Sequence, residues 1–231
     1  PRDSVPLDNS ALDSESLGRR EKALQFATQG LQLDSKDRYA LDDAASAYLA
    51  LNRFDEARSL AEQATAQNLS SIGLNFTLLD VAYIRGDQAA YDRIMAKAAG
   101  TPDEFLLLFW KAMGQGARGQ VKASRETWQK SRALAMQAGL KDFAAVLFGI
   151  EAQCDASNGY TDDARRKASE ALALSTQPNA SLHAAQALAA IGDLARAKTI
   201  VDKLKRDYPD NKFVQLVGGQ MVQATVELQQ K

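Results

Sequence analysis

The residues that could do chemistry are few and widely spaced. Gly114-Gln115-Gly116-Ala117-Arg118-Gly119 spells G-x-G-x-x-G after an apolar run, the pattern that cradles a dinucleotide's pyrophosphate at a helix N-terminus. That chemistry needs a strand before the glycines and an acid about 20 residues further on. The run Phe105–Met113 instead follows Pro102-Asp103-Glu104, a helix-start signal, and the downstream zone Ala138-Gly139-Leu140-Lys141 offers no acid. Gly119 therefore reads as a turn glycine. His183 is the only histidine; no Cys or carboxylate cluster with ligand spacing surrounds it, and no Ser or Cys nucleophile stands in a recognisable arrangement with it. Cys154, the only cysteine, excludes an internal disulfide framework. It continues the apolar series Phe143, Val146, Leu147, Ile150 and reads as a buried thiol. No nucleophile–base pair, metal cluster or phosphate loop results, so the expectation is a non-enzyme without a cofactor.

Charge and hydropathy narrow the remaining classes. Twenty-eight basic against 29 acidic residues give a net charge of −1, whereas a nucleic-acid binder needs a clustered basic face. No span approaches the ~20 apolar residues of a membrane helix, and no signal peptide is visible. The expectation is a soluble chain, cytoplasmic by preference, with neither nucleic acid nor membrane as partner. Opening on Pro1 rather than Met, it reads as a processed product or a piece of something longer. The Asn-x-Ser/Thr triplets at Asn68, Asn75 and Asn179 read as chance matches.

Abundant Ala, 7% aromatics and scarce β-branched runs favour helix nearly throughout. Ala44-Ala45 present small side chains to a partner helix and Tyr48 adds a large apolar body one turn on. Asn52-Arg53 breaks the rhythm, and Phe54 with Ala57 opens a second helix, making a helical hairpin. The residue opening each second helix recurs from Ala23 to Ala57 and on to Tyr91 in steps of 34. Steps of 33 to Ser124, 40 to Ala164 and 33 to Ala197 follow. One hairpin cannot bury its own apolar stripe, so hairpins must stack into a solenoid. The spacing predicts helices over 20–33, 37–51, 54–67, 71–85, 88–98, 103–115, 121–138, 141–157, 161–174, 179–191, 194–207 and 212–228. Residues 1–10 read as a tail, followed by a short helical piece over 11–17.

A period of about 34 residues per helix–turn–helix is the tetratricopeptide spacing. Ala44-Ala45, Tyr48 and Ala57 resemble that repeat, as do the turns at Gly86-Asp87, Gly159-Tyr160 and Gly192-Asp193 and the helix-ending Pro178 and Pro209. The resemblance covers nearly everything from Arg20 onward. It implies an all-α, right-handed superhelical solenoid of about six hairpins. The expected division is a linker with a partial first helix over 1–18, the repeat domain over 19–211, and a single C-terminal helix over 212–231. Tyr91 and Ser124 depart from the expected alanine, and the 40-residue step implies an insertion around Ala135–Leu140 that lengthens a helix. Leu51–Ala57, Arg85-Gly86-Asp87 and Ala171–Ser175 further resemble repeat regions of large bacterial regulators that carry a protein kinase or winged-helix module.

What the resemblance implies about function is a protein–protein interaction scaffold, the non-catalytic part of a signalling regulator, holding a peptide or helix of another protein. In this fold the first helix of each pair lines a concave groove. The expected lining is Tyr39, Asp42, Ser46, Phe76, Asp80, Tyr83, Phe109, Met113, Gln153, Leu182 and Gln186, aromatic and polar together. Where some members place Lys, Arg and Asn to clamp a terminal carboxylate, this chain carries Asp42, Asp80 and aromatics, which favours a partner with Lys or Arg. Asp42-Asp43 otherwise reads as a solvated helix face. The alternative is homodimerisation. On the last helix Phe213, Leu216, Val217, Ala224 and Leu228 form one apolar face, expected to dock on the preceding helix. Val214, Met221, Val222 and Val226 form a second, left over for the same helix of a further copy or for a further helix outside this sequence, with only polar residues such as Lys212, Glu227 and Gln229-Gln230-Lys231 to cover it.

Overall fold

The computed structural model describes residues 4–229, and every regular element in that range is helical. Residues 1–3, 230 and 231 and the Gln229 side chain lie outside the described residues, and with them the start of the expected tail and part of the expected polar cover. Close contacts divide the chain into two units, Pro1–Asp103 and Glu104–Lys231.

The first unit holds three hairpins: α1 (Val5–Ser16) with α2 (Arg20–Leu33), α3 (Arg38–Ala50) with α4 (Phe54–Ala66), and α5 (Ile72–Arg85) with α6 (Gln88–Ala98). Side-chain caps set the starts, since a helix leaves its first amides unpaired. Asp37 Oδ1 accepts from the Tyr39 amide at 2.9 Å, Ser71 Oγ from Leu74 at 3.1 Å, and Asp87 Oδ1 from Ala90 at 2.9 Å. Alanines at the hairpin contacts let helix axes come close: Ala44, Ala45, Ala57 and Ala61 are each 0% exposed. Helices α1, α3 and α5 adjoin one another in order, so the first helices of successive hairpins share a face.

The N-terminal expectation needs correction. Residues 5–10 are helix rather than tail: α1 begins at Val5 and is a full partner to α2, with Ala11 and Ser14 buried. Its polar composition hides the helical period, while Pro6 in the first turn is a start signal, because a missing amide costs nothing there.

The second unit comprises α7 (Glu104–Ala117), α8 (Val121–Gln137), α9 (Lys141–Ser157), α10 (Thr161–Leu174), α11 (Pro178–Ala190) and α12 (Leu194–Asp207). A π-helical turn at Val214–Gly218 then leads into α13 (Gly219–Gln229). Helices α8 and α9 run 17 residues each against 14 for α7 and α10, so the 40-residue step is absorbed by two lengthened helices rather than one. The literal glycine motif lies in α7 and its exit: Gly114 and Gly116 are helical, and Gly119 turns the chain at φ 72°.

The final segment departs from a plain helix for a packing reason. A Cβ on Gly218 would lie 2.5 Å from Leu182 Cδ1, so glycine allows this approach to α11 without displacing the buried leucine. The wider π turn seats Gly218 there. Docking is by the face expected to remain free: Val214, Val222 and Val226 are buried at 0, 1 and 6% exposure. Phe213, Leu216, Val217 and Leu228, expected to dock, are exposed. Met221 excepted, which stays 54% exposed, the two faces exchange roles because the period groups residues by face without ranking the faces, and the glycines admit close approach on the valine side.

Candidate functional site

In the first unit the predicted lining falls on two stripes. Tyr39, Asp42 and Ser46 follow one face of α3, and Phe76, Asp80 and Tyr83 one face of α5. Tyr39 is 75% exposed, while the other five are half-buried. The Ser46 hydroxyl donates to Glu15 Oε1 of α1 at 2.6 Å, and the Ser71 hydroxyl donates to Asp42. Gly73 leaves room for Asp42: a Cβ there would lie 2.8 Å from the carboxylate carbon.

Beside this stripe the structure gathers carboxylates that sequence reading left unassembled. Asp43 is half-buried, not solvated, and burial pushes its carboxyl up to about 7, with the charges of Asp8, Glu15, Asp42 and Asp37 pushing the same way. Burial also raises Asp42, against hydrogen bonds from Ser71 and the Leu74 amide and the Arg38 charge. Asp8 and Glu15 belong to α1, of which only the part from residue 11 is expected as helix, so nothing along the chain signals their approach to α3.

In the second unit the predicted residues divide. Met113 is exposed and its sulfur lies 3.8 Å from Cys154 Sγ. Gln153 donates to Gln186, and His183 Nδ1 lies 3.1 Å from Gln153 Oε1, making a polar ladder between α9 and α11. Phe109 is half-buried with its ring centroid 5.5 Å from that of Trp128, so it belongs largely to the aromatic core. Leu182 does not line a groove: at 3% exposure it packs against Leu204 and Val214. Its helix is covered by the terminal segment, which a turn-by-turn projection does not foresee.

Nucleophilic chemistry finds no support in these surroundings. Burial raises the Cys154 thiol, with Asp155 and Glu151 adding to it, so the thiolate is disfavoured. Cys154 is half-buried rather than buried as expected. Burial lowers the His183 imidazole, which keeps it neutral. Among the described residues no group of three or more His, Cys, Asp or Glu is placed to hold a metal ion.

A third assembly joins α8, α9 and α10. Lys167 Nζ lies 2.5 Å from both Glu151 Oε1 and Asp155 Oδ2, Arg132 also reaches Glu151, and Arg125 bridges Asp155 and Asp163 at 3.2 and 2.6 Å. Positive and negative groups match, so the cluster is a structural tie between hairpins and leaves no charge for a ligand.

No family model matches the chain, and no curated protein does. Among solved structures, a tetratricopeptide repeat protein from Parabacteroides merdae is 15% identical, with a TM-score of 0.58 over 100% of this chain and 86% of that one. A thermophilic tetratricopeptide repeat protein of Thermus thermophilus is 17% identical, with a TM-score of 0.48 over 96% of this chain and 100% of that one. No helix among the described residues is long and apolar enough to cross a membrane. Hairpins in series, small residues at their crossings and the first of these likenesses agree on one architecture: the fold is that of tetratricopeptide repeats.

Proposed function

We propose that the chain is a protein-interaction scaffold whose first unit receives a peptide or helix bearing Lys or Arg across the shared face of α1, α3 and α5. The carrying observation is the convergence of Asp8, Glu15, Asp42 and Asp43 beside the exposed ring of Tyr39. Burial and the neighbouring charges push the Asp43 carboxyl up, and a cation laid beside it relieves that unfavourable charge energy. Tyr39 supplies flat apolar area next to that charge, suited to the stem of a long basic side chain. Asp80 extends the acidic stripe onto α5. The neutral His183 and the disfavoured Cys154 thiolate fit a scaffold rather than an enzyme. In this reading the chain is the non-catalytic part of a larger signalling regulator.

The test uses fluorescence anisotropy with a labelled amphipathic helical peptide whose polar face carries lysines. Binding should weaken on the order of tenfold in the Asp42→Asn/Asp43→Asn variant and fall with added salt, as electrostatic complementarity requires. The same peptide with glutamates should bind poorly. Equal affinity for both peptides, or full binding by the double variant, would sink the proposal.

A further inference from the structure

We infer that the C-terminal helix pairs with the same helix of a second copy, antiparallel, through the face turned away from α11. With Val214, Val222 and Val226 buried within the chain, the apolar residues left outside are Leu216, at one flank, and a stripe of Phe213, Val217, Met221, Ala224 and Leu228. Phe213, Val217, Met221 and Leu228 are 50, 45, 54 and 72% exposed. From Val217 they recur at intervals of four, three and four, the alternation that keeps a seam facing a partner helix. The step from Phe213 to Val217 is one residue too long for that alternation, and the π turn at Val214–Gly218 lies there. Its wider winding takes up the additional residue and brings Phe213 onto the seam. The irregularity that seats Gly218 on α11 thus also aligns the outer face.

Charge selects a second copy and its direction. The residues immediately before Phe213, Met221 and Leu228 are Lys212, Gln220 and Glu227, all exposed and all on one flank of the seam. Antiparallel pairing about a twofold axis near Gln220 sets Lys212 of each copy against Glu227 of the other and places the uncharged glutamine at the centre. Parallel pairing would face this flank with the partner's opposite one and leave Lys212 and Glu227 without each other. A patch that complements itself only when reversed is what a twofold, isologous interface requires.

Sedimentation velocity on the 231-residue chain over a wide concentration range tests this. The wild type should be a reversible dimer. Met221→Glu should raise its dissociation constant about tenfold or more, as for a charge placed at a desolvated contact. Because Met221 is exposed in the single chain, far-UV circular dichroism should not change. Glu227→Lys should weaken the dimer, and Lys212→Glu/Glu227→Lys should restore it, a rescue that parallel pairing cannot give. Binding of the lysine peptide should be unaffected in all these variants, which separates this inference from the groove reading. A wild-type chain that stays monomeric overturns the proposal and assigns the stripe to a different polypeptide. A dimer untouched by Met221→Glu, or one that the double swap fails to rescue, overturns it as well.

Discussion

Lys167 and Glu151 meet at 2.5 Å in a junction where their exposures are 4 and 3%. Asp155, 5% exposed, takes a second contact from the same ammonium, again at 2.5 Å. Removing one partner of such a group leaves charge stranded away from water, and typically costs about 3–5 kcal/mol. Here Arg132 still holds Glu151 and Arg125 still holds Asp155, so Lys167→Met should fall near ~3 kcal/mol, the low end of that range. Neutralising the acids as well, in Lys167→Met/Glu151→Gln/Asp155→Asn, should recover most of the loss. Urea denaturation followed by circular dichroism decides; a triple variant weaker than the single one would show that the acids stabilise by themselves.

Gly149 and Gly116 should respond in opposite directions to the same methyl group. A Cβ on Gly149 would sit 2.7 Å from His183 Cβ and 3.3 Å from the Ala180 carbonyl oxygen, neither of which can swing aside. Gly149→Ala should therefore force α9 from α11 and cost about 1–3 kcal/mol. On Gly116 the nearest atom is Ser124 Oγ at 3.4 Å, an ordinary contact. Gly116→Ala should stabilise by up to ~1 kcal/mol through helix propensity. Equal signs in thermal melts would refute the contrast.

Mild acidification should act with opposite sign on the two units. Asp43 titrates about 7 when folded against 3.8 for the ordinary carboxyl, so the folded state binds the extra proton between those values. The first unit should gain stability as pH falls through that window and lose it as pH rises. His183 is lowered from 6.5, so the unfolded state binds the extra proton and the second unit should lose stability as pH falls below 6.5. Hydrogen exchange resolved by segment measures both slopes. Asp43→Asn should flatten the first; an unchanged slope in that variant would place the titration on another group.

Ala57, 0% exposed where α4 packs back on α3, has no room for a larger side chain. Ala57→Trp should cost about 1–3 kcal/mol or more by overpacking. Because stacked repeats are coupled chiefly to their neighbours, lost exchange protection should centre on α3 and α4 and spread to α2 and α5. Uniform loss over the entire chain would contradict nearest-neighbour energetics.

From Arg20 to Asp207 the sequence by itself determined the helices, their pairing and their register. The 34-residue recurrence of Ala23, Ala57 and Tyr91 and the caps at Asp37, Ser71 and Asp87 are local properties, and most helix ends fall within two residues of where they place them. Tertiary structure alone decided which surfaces remain free. Leu182 is core because Gly218 lets the terminal segment close over it, and Val222 turns inward while Met221 turns out. Asp43 is perturbed because packing buries it and α1 brings Asp8 and Glu15 to it, and Lys167 is buried against partners that α9 supplies. A periodic pattern shows which side chains share a face. Which face is buried, and which charges meet there, depends on residues on other helices, such as Arg125 and Asp155 at a separation of 30, whose proximity only the packed helices create.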